Sequence, residues 1–159
     1  MSCIIGIDPG LSGGIAWIDD DDIYAHPTPE TDKDFELMLS GLASFYLDGL
    51  TAYVEKVSAS PQMGVVSAFK FGRSVGSIHM ALLANDIRIE YVTPQKWQKE
   101  FGLIVKGRGM GQDDTSKKNR NKAKAQELFP CKKITHAIAD AMLIAEYGRR
   151  ELSRQAAAT

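Results

Sequence analysis

Short apolar runs closed by turn residues fill the first part of the chain, and apolar residues three or four apart dominate the later part. Runs of the first kind read as strands and the second pattern reads as amphipathic helices. Residues 3–8 form the first strand. The Pro9-Gly10 turn joins it to a second over about 13–19, and a third around 23–26 completes a meander. His26, before Pro27, reads as a loop residue. Phe35, Leu37, Met38, Leu42, Phe45 and Tyr46 recur at helical spacing, with Thr31 or Asp32 as cap and Gly49 as the end. Thr51 to Glu55 is a fourth strand. A loop over 58–64 precedes a long helix over about 65–85, and residues 88–92 form strand five. Thr93 and Pro94 open a short helix around a buried Trp97, and Gly102 ends it. Gly107, Gly109 and Gly111 mark residues 105–116 as a loop. A lysine-bearing helix near 116–128 and a final helix over about 135–151 follow. This order predicts an α/β fold. It forms one domain over residues 1–152 with a flexible tail at 153–159, and shows no internal repeat.

Three carboxylates break this pattern. Asp8 and Glu55 each end an apolar strand, and Asp140 interrupts an apolar helix that otherwise carries only His136. A charge at such a position is costly unless it is paired or binds a metal. Asp8 alone could equally cap its turn through the backbone. Three like charges from distant segments, however, need a compensating cation, and oxygen-rich sites suit Mg²⁺ or Mn²⁺.

The 159 residues allow one compact core, and 44% apolar with 25% charged residues describe a globular chain. No apolar run approaches the length of a membrane span, and no basic segment precedes an apolar one at the N-terminus, so neither membrane insertion nor a signal peptide is expected. Cys3 and Cys131 lack metal-ligand spacing and read as reduced thiols of a cytoplasmic protein. The net charge of −1 is unevenly spread. Residues 19–36 hold eight acids against Lys33, a local −7, and Asp19 to Asp22 read as an exposed hairpin tip. Residues 104–133 hold nine basic residues against three acidic ones, a local +6. Lys106, Arg108, Lys117, Lys118, Arg120 and Lys122 in this segment are candidate phosphate contacts; the alternative is a solvated loop. On the long helix, Gly72 and Gly76 lie four apart on one face and permit close approach of another element. Phe69, Phe71 and Met80 on the same helix are core or interface.

Residues 4–14 with Asp8, the Val54-Glu55 pair, the segment 69–76, residues 94–97 and Ala139-Asp140-Ala141 together resemble RuvC-type Holliday junction resolvases, in particular the branch found in phages and other mobile elements. The match spans nearly the whole chain in order. It implies a ribonuclease H-like fold, a mixed five-stranded sheet flanked by helices with the acids meeting at one edge. It also implies a homodimer, with Gly72 and Gly76 as candidates for its contact, that binds four-way or otherwise branched DNA and makes paired nicks during recombination and repair. The expected compartment is a bacterial or phage-infected cytoplasm. Asp8, Glu55 and Asp140 match the family's metal-binding acids, which implies two Mg²⁺ per site, replaceable by Mn²⁺. Two such metals can activate water and stabilise the leaving oxygen. The chain departs from the family twice. Ser58 stands where many relatives carry an aromatic wedge, with Met63 as a candidate substitute. Ala137 stands where many carry an acid or histidine three residues before the last Asp. His136 and Asp140, four apart on a helix, share a face, so His136 is a candidate metal ligand and catalytic residue. Otherwise it caps the helix start or hydrogen-bonds a carboxylate.

Two other functions fit parts of the pattern. A junction-binding scaffold with reduced catalysis would keep the basic segment, although the three retained acids count against it. An ATPase with an actin-like Gly-x-Asp-x-Gly phosphate loop would share residues 6–10, but it needs two lobes around its nucleotide.

Overall fold

A computed structural model describes residues 3–20, 22–47, 49–104 and 114–158. Strands β1 (Cys3–Asp8), β2 (Gly14–Asp19) and β3 (Asp22–Pro27) form an antiparallel meander. Helix α1 (Asp32–Phe45) crosses over, and β4 (Leu50–Glu55) returns parallel to β1. Helix α2 (Val65–Ala84) then leads to β5 (Arg88–Val92), parallel to β4. Helices α3 (Pro94–Glu100), α4 (Asp114–Leu128) and α5 (His136–Ala157) complete the chain. The strands make one mixed sheet in the order β3-β2-β1-β4-β5. This is the five-stranded α/β architecture expected from the apolar pattern.

Alternation along the strands divides the core in two. Cys3, Ile5 and Ile7 of β1, with Leu50, Ala52 and Val54 of β4, pack against Phe35 and Leu39 of α1 and Ile78 and Leu82 of α2. Ile4 and Tyr53 point to the other face, where Trp97, Ala125, Met142 and Leu143 of α3, α4 and α5 cover them. Asp8 and Glu55 share the parity of Ile4 and Tyr53. Both therefore belong to the face under α3, α4 and α5. Helix α5 lies flush on that face because two strand residues have no side chain. A Cβ on Gly6 would collide with the Ala141 carbonyl oxygen and the Ala145 nitrogen, and one on Gly14 with the Ala137 carbonyl oxygen. These close approaches bring the first three turns of α5 down onto β1 and β2.

Several boundaries differ from the sequence reading. His26 lies within β3, with Nδ1 2.6 Å from the Pro27 carbonyl oxygen, rather than in a loop. A proline at the end of β3 is tolerated because this strand is an edge of the sheet. Helix α1 is capped by Thr31 and stops at Phe45, before Gly49. It buries Phe35 and Leu39 but leaves Leu37 and Phe45 exposed, so its buried stripe is narrower than its apolar spacing suggests. Helix α4 begins at Asp114, and residues 105–113 of the expected loop lie outside the described residues. Helix α5 runs on to Ala157 across most of the stretch read as a flexible tail. Arg154 supports this extension, with Nη1 3.1 Å from Glu100 Oε1 and Nη2 3.1 Å from Glu151 Oε2. Two acids of the hairpin tip have partners: Asp22 pairs with Lys132 at 2.6 Å, and Asp19 accepts from the Tyr46 hydroxyl at 2.8 Å. No helix among the described residues is long and apolar enough to cross a membrane.

Candidate metal centre and nucleic-acid face

Asp8 and Glu55 are the last residues of two neighbouring parallel strands whose register pairs Ile7 with Val54. The two acids thus leave the sheet side by side, at the carboxyl ends where open α/β sheets bind ligands. Asp140 reaches the same place from the second turn of α5, which the missing side chains of Gly6 and Gly14 let down onto β1 and β2. The three acids are far apart in sequence and meet only through the sheet register and the seat of α5.

Their electrostatics record the meeting. Burial pushes the Asp8 carboxyl up to about 7, and the charges of Asp140 and Glu55 add to the rise against Lys117 and Lys118. Glu55 is also raised, first by burial, then by Asp140, with a hydrogen bond from Trp97 and the charge of Lys117 opposing. Asp140 is raised by burial, against a hydrogen bond from Asn121 and the charges of Lys117, Lys118 and His136. Two of the bonds that hold the acids come from buried neutral donors. Trp97 Nε1–H donates to Glu55 Oε2 at 2.7 Å, and Asn121 Nδ2–H donates to Asp140 Oδ1 at 2.9 Å.

Three carboxylates that resist ionisation together form a donor set suited in chemistry to a hard divalent cation. Among the described residues, no group of three His, Cys, Asp or Glu side chains is arranged to hold a metal ion. His136 is the exposed first residue of α5 and acts on Asp140 through its charge. Thr135 occupies the cap position of that helix, and its side chain makes no capping bond.

The basic candidates separate into groups. Lys117 and Lys118 are exposed on the first turns of α4 with their charges directed at the acids. Arg120 and Lys122 are half-buried further along the helix. Lys106 and Arg108 lie outside the described residues. Two other lysines of the +6 segment are engaged by acids, Lys124 with Glu127 at 2.7 Å and Lys132 with Asp22. Gly72 and Gly76 are exposed on α2, and a Cβ at either would meet nothing within 4 Å. Neither glycine therefore serves close packing among the described residues. Ser58 and Met63 line a groove of about 510 Å³ together with Lys56, Phe71 and Pro94. A second groove of about 460 Å³ runs from Glu55 to His79 and Tyr91, whose rings stack and whose Nδ1 and hydroxyl lie 2.5 Å apart.

Sequence reasoning missed Asn121 and saw Trp97 only as a buried ring. A polar residue at a core position of a lysine-rich helix was the available signal for Asn121, and the surrounding charges hid it.

No family model matches this sequence, and no curated protein does. Solved structures do match. The chain is similar to Thermus thermophilus RuvC in complex with a Holliday junction substrate, at 15% identity and a TM-score of 0.59, over 95% of this chain and 97% of that one. A second Thermus thermophilus RuvC structure matches at 15% identity and a TM-score of 0.54, over 90% of each chain. The sheet order, the helices on its two faces and this likeness agree: the chain has the ribonuclease H-like fold of RuvC.

Proposed function

We propose that this chain is a structure-selective endodeoxyribonuclease that resolves four-way or other branched DNA by metal-dependent phosphodiester hydrolysis. The observation that carries this reading is the convergence of Asp8, Glu55 and Asp140 at the carboxyl ends of β1 and β4, beside the lysines of α4. Its support from similarity is the shared fold with RuvC, which has been solved with a Holliday junction substrate. In this reading Asp8, Glu55 and Asp140, with His136 as a further ligand, hold two Mg²⁺, or Mn²⁺ in their place. When bound, the metals activate water and stabilise the leaving oxygen. The chain's own residues supply the rest. Lys117, Lys118, Arg120 and Lys122, continued by Lys106 and Arg108, draw the DNA backbone toward the acids, and α2 joins two copies so that two sites cut symmetrically. Recombination and repair in a bacterial or phage-infected cytoplasm are the setting this activity serves, and the resemblance to the phage and mobile-element branch suggests such an origin.

A second reading is a junction-binding scaffold, in keeping with the finding that no group of three His, Cys, Asp or Glu side chains among the described residues is arranged to hold a metal ion. A labelled four-way junction separates the two. The resolvase reading expects paired nicks with Mg²⁺ or Mn²⁺ and none in chelator. Asp8→Asn, Glu55→Gln and Asp140→Asn should each lower the nicking rate by about 10²-fold or more, on the scale of losing one charge-stabilising group, while retaining junction binding. A gel shift without nicks supports the scaffold. Wild-type rates in all three variants would overturn the site.

A further inference from the structure

Two bonds at the acid cluster join groups whose charge and burial make an unusual combination. Trp97 on α3 is fully buried, and its indole N–H, which can only donate, is spent on Glu55 Oε2 at 2.7 Å. Asn121 on α4 is 1% exposed, and its amide is spent on Asp140 Oδ1 at 2.9 Å. A buried polar group must find a partner, and each of these has found a carboxylate of the cluster. Both donors are neutral. An arginine or lysine at either position would cancel the acid's charge and compete with a divalent cation for it. An indole or amide fixes the carboxylate's orientation and leaves its charge in place. The two donors come from different helices: α3 follows β5, and α4 packs beside α5.

We propose that Trp97 and Asn121 are positioning residues, holding Glu55 and Asp140 in the orientation that a divalent cation requires. This inference rests on the metal-dependent reading above. The charge left on each acid distinguishes it from a purely structural role, in which Trp97 only fills the core beside Val92 and Phe101.

The test uses the full chain with Asn121→Leu, which replaces the amide by an apolar group of similar size, and Trp97→Phe, which keeps an aromatic ring and removes the indole N–H. Mn²⁺ affinity is measured without DNA by electron paramagnetic resonance, and nicking is measured across Mn²⁺ concentration. Loss of a group that orients a metal ligand typically weakens metal affinity 10–100-fold. The expected result is a loss of about that size, with a higher half-saturating Mn²⁺ concentration and a maximal rate largely restored at high Mn²⁺. Circular dichroism melting checks the fold, and if Trp97→Phe fails to fold, Asn121→Leu decides the matter. Unchanged Mn²⁺ affinity in a folded Asn121→Leu overturns the inference while leaving the nuclease reading intact. Mn²⁺ binding that depends on Asp8 and Asn121, without any nicking of junctions by the wild type, upholds the positioning role and sinks the nuclease reading. Failure of the wild type to bind Mn²⁺ at Asp8 overturns both.

Discussion

A carboxyl pushed up to about 7 resists ionising in the folded protein. Asp8 binds its proton more tightly when folded than when unfolded, where it titrates near 3.8. The contribution of Asp8 to folding stability is therefore fullest below pH 3.8, declines as pH rises toward about 7, and stays reduced above it. At about 1.4 kcal/mol per pH unit, discounted for partial exposure, the penalty at pH 8 is about 2–4 kcal/mol. Asp8→Asn removes the charge and keeps the shape. In chelator at pH 8 this variant should be more stable than wild type by about that amount, with the gap closing near pH 4. Denaturant melts at the two pH values measure it, and equal stability at pH 8 would show that burial and the neighbouring acids do not disfavour the Asp8 charge as described. The three acids were legible residue by residue, because each broke an apolar element. Their hydrogen-bond partners were not, because Trp97 and Asn121 lie 42 and 19 positions away from the acids they hold.

At the scale of elements, α4 is where a lysine-rich stretch acquires direction. Its lysines announced a basic helix, yet only the packing of α4 beside α5 brings the charges of Lys117 and Lys118 to bear on the acids and buries Asn121. Lys117 and Lys118 are expected to contact phosphates as the backbone enters the site. Replacing both with Gln should weaken junction binding and lower the slope of log affinity against log salt by about 0.9 for each phosphate that is no longer neutralised. Fluorescence anisotropy across a salt series reads that slope. An unchanged slope would mean that these charges serve the acids alone.

At the scale of the whole molecule, α2 bears on assembly. Val65, Phe69, Gly72, Gly76, Met80 and Leu83 fall along one side of α2 at spacings of three and four. The side chains among them are exposed, with Val65 at 87% and Phe69 at 75%, and the two glycines face open space. The expected apolar helix face is therefore present, but it is not part of the core. A contiguous exposed apolar stripe marks an interaction surface. We expect two copies to pack α2 against α2 there, giving the paired sites that symmetric nicking requires. Gly76→Leu should then yield a folded monomer in sedimentation velocity, since within one chain the added side chain meets nothing. A wild-type monomer, or a variant that stays dimeric, would move the interface elsewhere.

The order of elements, the strand ends that carry Asp8 and Glu55, and the helix that carries Asp140 were determined by the sequence itself, because periodicity and turn chemistry are local. Tertiary structure decided the rest. Parity along parallel strands put two acids on one face, and the bare backbone of Gly6 and Gly14 let α5 bring the third against them. Arg154 and Glu100 support a helix where a fraying end was expected. Each of these depends on groups distant in the chain finding one another, and no window of neighbouring residues contains that information.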